Sequence, residues 1–300
     1  PLIQSIITDQ LQPTSETILP LILNLSDILN TDAYANDLDF AKYLPYAESI
    51  IGFAQSKGFT QSEALPDKSK TPTKLATLIN NAASIFDALG ETNKALEYHK
   101  KAMKIWEKVL PENHPDLATS YNNVAVTYKA LGETNKALEY HKKAIEIREH
   151  VLPENHPDLA QSYNNVAATY DALGQTNKAL EYHKKAMKIW EKALPENHPH
   201  LATSYNNVAE TYRTSGETNK ALKYHKKALK IREHVLPENH PSLATSYNNV
   251  ASTYYELNDY QQAKQYIDRA VAIFEKALPA GHPYIKNAKK GQKTIENALN

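Results

Sequence analysis

Apolar residues recur at helical spacing through most of the chain, and residues 115–156 show the pattern. Leu117, Tyr121, Val124 and Tyr128, with small Ala118 and Ala125 between them, share one helical face. Pro115 suits the first turn, because its φ is fixed and its missing N–H would be unpaired there anyway. Gly132 predicts a left-handed stop, and Thr134 or Asn135 is expected to cap the next helix. Ala137, Leu138, His141, Ala144, Ile145 and Leu152 form a second apolar face, which Pro153 ends. The unit reads as a hairpin of two helices, each roughly 17 residues long. Its alanines allow close approach and its tyrosines fill the wedges. Neither helix buries its face alone, so such hairpins must stack into an all-α solenoid of antiparallel helix hairpins.

The unit repeats. Tyr121, Tyr163, Tyr205 and Tyr247 lie 42 residues apart, as do Gly90, Gly132, Gly174 and Gly216, and His114, His156, His198, His240 and His282. A weaker first copy, LATLINNAASIFDALGETNKA from Leu75, carries Ile79 in the tyrosine column. Five units follow: about 73–114, 115–156, 157–198, 199–240 and 241–282. A longer period is superposed. Trp106, Arg148, Trp190, Arg232 and Phe274 alternate in one column, and ALEYHKKAMKIWEK recurs 84 residues apart, from Ala95 and from Ala179. That pattern reads as duplication of a pair of hairpins, giving an extendable surface rather than one chemical pocket.

These columns resemble the tetratricopeptide repeat. Its aromatic, Leu-Gly/Ala, Tyr, Gly, Ala, aromatic, Ala series falls here on Tyr121, Val124-Ala125, Tyr128, Gly132, Ala137, His141 and Ala144, with His141 departing from the usual aromatic. The 42-residue length and the His-Pro start are similar to the longer kinesin-light-chain-type variety. The resemblance covers about residues 73–283 and implies a right-handed superhelix whose first helices line a concave groove. Residues 284–300 are polar and helix-prone, as a capping helix requires. Residues 1–72 do not repeat. Leu44–Gly58 has helical spacing, and the loop from Ser62 to Lys74 is the expected boundary. PLIQSIITDQL at Pro1 and DFAKYLPYAESII at Asp39 resemble the arm region preceding repeat sensors in NB-ARC/STAND-type signalling NTPases. That resemblance implies a nucleotide-binding part upstream, since the chain begins at Pro1 and holds no phosphate-loop motif.

Composition narrows the chemistry. Acidic and basic groups balance at 34 each, so nothing draws the chain generally to nucleic acid or anionic membrane. The most apolar run, ILPLILNLSDIL from Ile18, is too short and interrupted to span a bilayer. There is no cysteine, which fits a reducing, cytoplasmic setting and removes thiolate chemistry. Twelve histidines invite a metal reading. The His-Pro column, however, places one ring per hairpin, and stacked helices lie roughly 10 Å apart. A zinc ion needs its ligands about 2 Å away. His114 is expected to cover the turn or accept a local hydrogen bond, and the column of His99, His141, His183 and His225 to pack in the core. No catalytic constellation, cofactor or metal is expected. Glu139, Lys142, Lys143 and Glu146 are expected on a solvated outer face with i,i+4 pairs.

The candidate site is the groove. Asn pairs sit mid-helix in all five units: Asn80-Asn81, Asn122-Asn123, Asn164-Asn165, Asn206-Asn207 and Asn248-Asn249. A carboxamide offers donors and an acceptor, so a row of them can hold an extended peptide backbone. Equally, one Asn of each pair can tie neighbouring helices. The resemblance makes the second the peptide contact. Specificity is expected from two columns that stop repeating: Ser84, Val126, Ala168, Glu210, Ser252, and Asp87, Lys129, Asp171, Arg213, Tyr255. The co-chaperone clamp for acidic tails uses Lys or Arg where Thr119 or Asn123 stands, which disfavours that ligand class. The reading is a scaffold for a peptide or helical segment of a partner protein, with a ligand-sensing domain of an NTPase as the alternative. Self-association through unfinished end faces is a further expectation.

Overall fold

The hydrophobic spacing becomes helix throughout the residues that the computed structural model describes, 15–29, 41–56 and 70–299. Thirteen α-helices follow in order: α1 (Ser15–Ile28), α2 (Leu44–Ser56), α3 (Lys70–Ala88), α4 (Thr92–Val109), α5 (Pro115–Ala130), α6 (Thr134–Val151), α7 (Pro157–Ala172), α8 (Thr176–Ala193), α9 (Pro199–Thr214), α10 (Thr218–Val235), α11 (Pro241–Glu256), α12 (Tyr260–Ala277) and α13 (Pro283–Leu299). Among the described residues there is no strand. Consecutive helices pack pairwise as antiparallel hairpins, the packing of an all-α solenoid. The chain divides into two compact units, residues 1–152 and 153–300.

In the first unit, α3–α4 and α5–α6 form hairpins, and α1 and α2 pack against α3. That extra cover explains the greasier first repeat: Leu75, Leu78, Ile79 and Ile85 are fully buried, beside Ile22 and Leu29 of the α1 segment and Ile51 of α2. Ile79 stands, fully buried, where the next three repeats keep a half-buried tyrosine. Residues 70–74, expected in a loop, form the first turn of α3, where Pro72 forfeits no intrahelical bond. Of the arm-like resemblance, residues 1–11, 39 and 40 lie outside the described residues, as does 62–69 of the expected linker.

In the second unit, hairpins α7–α8, α9–α10 and α11–α12 stack in order, and α13 lies against α12. Ile285, Ala288 and Ile295 of α13 are buried in the last core, with Ile267 and Phe274.

The local devices repeat. Each first helix is 16 residues and each second helix 18 in the regular units. Pro115 is the first helical residue, and His114 is the N-cap, its Nδ1 accepting from the Asp116 N–H at 3.2 Å. The same bond recurs at His156, His198, His240 and His282. The His-Pro column is therefore a helix cap. At the other end Gly132 has φ +79°. There the Glu133 N–H reaches Tyr128 O and the Gly132 N–H reaches Lys129 O, closing the helix by a Schellman turn. That closure corrects the expected cap at Thr134 or Asn135. Glu133 is the N-cap of α6 and makes no side-chain bond there, because the three-residue connection passes straight from the left-handed glycine into the next helix. In the last hairpin Asn258 takes the glycine position at φ 61°, and Asp259 caps α12 through the Gln262 N–H. Replacing Gly132 with Ala should cost about 1 kcal/mol, since a Cβ is disfavoured at positive φ. Replacing it with Asn should cost less, and thermal melting of the two variants checks the order.

Tyrosines fill the wedges as their spacing predicts. Tyr140 stacks on Tyr128 at 5.7 Å and lies 6.1 Å from Tyr121, whose hydroxyl donates to Glu107. The outer face carries the expected i,i+4 pairs, Lys143–Glu139 among them.

Candidate functional site

The asparagines of the first helices form a hydrogen-bonded ladder. In the first unit the Asn123 side chain donates through Nδ2 to Asn80 Oδ1 at 3.1 Å, and His99 Nδ1 donates to the same oxygen at 3.0 Å. One step earlier Asn81 Nδ2 donates to the Ser26 carbonyl. In the second unit Asn207 Nδ2 and His183 Nδ1 both donate to Asn164 Oδ1 at 2.9 Å, and Asn249 Nδ2 donates to Asn206 Oδ1 at 2.8 Å. The rule is uniform across these steps. The first Asn of a pair is the acceptor, and the second reaches back to the preceding helical layer. Each engaged second Asn keeps another N–H and an oxygen with which to meet a ligand. In the remaining pair positions, Gln161 Nε2 donates to Asn165 Oδ1, and Asn122 is also engaged.

The histidines join this ladder, a role that the sequence reading missed. His99, His141, His183 and His225 are 1–3 % exposed, in the core as expected. Two of them bridge from an asparagine to the variable column. His99 Nε2 lies 3.4 Å from Asp87 Oδ2, and His183 Nε2 lies 3.1 Å from Asp171 Oδ2. Thr127 and Thr211 donate to the same aspartates. The signal in the sequence is a constant separation: each His follows the first Asn of its unit by 19 residues.

The intervening repeats place a base where these place Asp. His141 faces Lys129 and Arg148, and burial, aided by those two cations, lowers its pKa to about 4. His225 has no hydrogen-bond partner on either ring nitrogen. Burial lowers its pKa to about 4 as well. Glu210, 3.4 Å away, pulls the other way, but burial together with Arg213 and Arg232 prevails, so the ring is neutral at pH 7. Arg213 is held between Glu210 Oε2 at 2.9 Å and Glu256 Oε1 at 2.7 Å.

In the variable column one turn after the asparagines Val126, at 47 % exposure, and Ser252 are exposed, while Ser84, Ala168 and Glu210 are half-buried. In the second unit several candidates converge. Arg213, Asn248, Ser252 and Tyr255 line one cleft of about 510 Å³, closed on its far side by Asn287, Lys290 and Gly291 of α13. Asp171, Asn164 and Asn207 belong instead to the hydrogen-bonded ladder. Among the described residues no group of three His, Asp or Glu side chains could hold a metal ion, and no helix is long and apolar enough to cross a membrane.

Comparison with known proteins agrees with this geometry. The family model described as Tetratricopeptide repeat matches residues 74–150, 149–192, 158–234 and 200–276. Among solved structures, nearly identical TPR-like repeats of a Podosopora anserina protein described as a kinesin light chain are 25 % identical. That match has a TM-score of 0.62 and covers 70 % of this chain and 99 % of that one. BtubC (BKLC) from P. vanneervenii is 23 % identical with a TM-score of 0.66, over 81 % of this chain and 93 % of that one. Aspartyl phosphate phosphatase F from Bacillus subtilis shares the fold at 17 % identity, with a TM-score of 0.63, over 97 % of this chain and 83 % of that one. No curated protein matches. The matched repeats span more than half of the sequence, and the chain belongs to the tetratricopeptide repeat family, of the 42-residue, kinesin-light-chain-like kind.

Proposed function

We propose that the chain is a protein-interaction scaffold that binds an extended or helical segment of a partner on the face presented by its first helices, and that it performs no catalysis of its own. One observation carries the reading. Positions that vary between otherwise near-identical repeats, Arg213, Ser252 and Tyr255, line a single cleft together with Asn248. The frame beneath is fixed by the ladder, while the surface above it changes from repeat to repeat. That is how a rigid array presents a particular sequence of contacts. The second Asn of each pair adds its remaining amide groups to that surface, as do Val126, Lys129 and Glu210. The tetratricopeptide fold supports the reading, being a fold of interaction scaffolds.

The test is a pair of surface variants in the full chain. Val126→Asp with Lys129→Glu alters the first unit, and Ser252→Arg with Tyr255→Ala alters the second. Partner capture from the native host should fall with either pair, while circular dichroism and melting stay near wild type. Lys142→Ala with Lys143→Ala on the outer face should leave capture intact. Capture that survives both groove pairs and fails with the outer-face pair would overturn the reading.

A further inference from the structure

The asparagine ladder stops one rung short, and the gap is the cleft. Adding one 42-residue period to Asn249 gives Gly291, and adding one to His225 gives Ile267. Asn80, Asn164 and Asn206 each accept from the second Asn of the next layer, and Asn80 and Asn164 from the histidine of their own repeat as well. Asn248 has lost both donors at once. Among the described residues its side chain makes no hydrogen bond, and it lies half-buried in the cleft lined by the two residues that replaced its partners.

The glycine is informative in a second way. Within a helix it costs about 1 kcal/mol relative to alanine, and Gly291 lies inside α13 with no positive φ to explain it. A Cβ there would meet only Ile267 Cδ1, at an ordinary 3.8 Å. Packing therefore does not require glycine, and its effect is to leave the cleft open.

The chemistry of the gap selects its occupant. Asn248 offers an acceptor and a donor side by side. A carboxylate has no N–H for the Asn248 oxygen, an ammonium has no acceptor for the Asn248 N–H, and Arg213 and Glu256 on the same wall already pair with each other. A neutral carboxamide satisfies both atoms, whichever way the Asn248 amide is turned, and Ile267, Ile295 and Tyr255 can cover its aliphatic stem. We infer that this cleft takes an asparagine or glutamine side chain of a partner segment, which completes the ladder in place of the residue that Gly291 lacks. The inference rests on the reading of the first-helix face as a partner surface and assigns one contact within it.

The experiment uses the full chain and a display library of random short peptides, with wild type as bait. Captured peptides should be enriched in Asn and Gln. Gly291→Asn supplies the missing rung from within, and Asn248→Ala removes the acceptor. Each should weaken those peptides by roughly tenfold or more, with the melting temperature of Gly291→Asn unchanged or raised. Peptides that bind wild type, Gly291→Asn and Asn248→Ala alike, or that show no carboxamide preference, overturn this inference and leave the scaffold reading standing. A library that yields no binder for wild type overturns both. Should Gly291→Asn fail to fold, Asn248→Ala alone decides, since Asn248 supports no bond in the protein.

Discussion

Asn164→Ala should lower stability by about 2–4 kcal/mol, because it leaves two donors without their acceptor. Those donors are Nδ1 of the buried His183 and Nδ2 of Asn207. The loss should appear as a lower urea midpoint and as faster amide exchange in α8 and α9. Asn248→Ala, the same substitution at the open end of the ladder, should stay within about 0.5 kcal/mol of wild type. Equal melting of the two variants would show that the ladder contributes nothing to folding. The contrast also bears on any attempt to read binding from asparagine replacements. Alanine at Asn207 removes a rung and can weaken capture by loosening the frame. A binding defect counts as a contact only where melting is preserved.

Acid should destabilise the chain well above the usual carboxylate range. The rings of His141 and His225 are neutral in the fold, their pKa values lowered by burial to about 4. In the unfolded chain the same rings take a proton near pH 6.5. The stability they protect is fully present above about 6.5 and is lost as pH falls from there to about 4, where the unfolded state binds protons first. The loss is on the order of 3 kcal/mol for each ring. A His141→Leu, His225→Leu double variant should show a flatter melting profile between pH 7 and 4. At pH 7 His225→Leu alone should be neutral or stabilising, since it removes two buried nitrogens that make no hydrogen bond. A double variant as acid-labile as wild type would place the sensitivity elsewhere.

The hairpins were legible because the signals that make them are local. Apolar residues at helical spacing, Pro115 and Gly132 act within a few positions of themselves. The polar ladder was half legible. The asparagine pairs stood out as mediocre helix formers held mid-helix, but their partners did not, for a physical reason. In a periodic array every Asn has identical copies in the neighbouring units, so the sequence cannot say which of them meet. Asn123 and Asn80 are 43 residues apart, one more than the repeat, and only the stacking offset between first helices produces that pairing. The Thr134 cap failed for another reason. Capping propensity assumes a residue to spare between helices, and the Schellman closure at Glu133 uses it. The cleft was legible only in its parts, since Arg213 and Tyr255 meet Gly291 through tertiary packing alone.

The alternation of acidic and basic partners around the buried histidines has a consequence for how such an array can change its length. Asp87 and Asp171 accompany one kind of repeat, Lys129 and Arg213 the other, and Trp106 and Trp190 alternate with Arg148 and Arg232 in the same step. Loss of one hairpin would bring two repeats of the same kind together, doubling an aspartate or a cation where the frame expects its opposite. Loss or gain of two hairpins would keep the alternation in step. On that pattern a change of length that preserves the alternation comes two hairpins at a time.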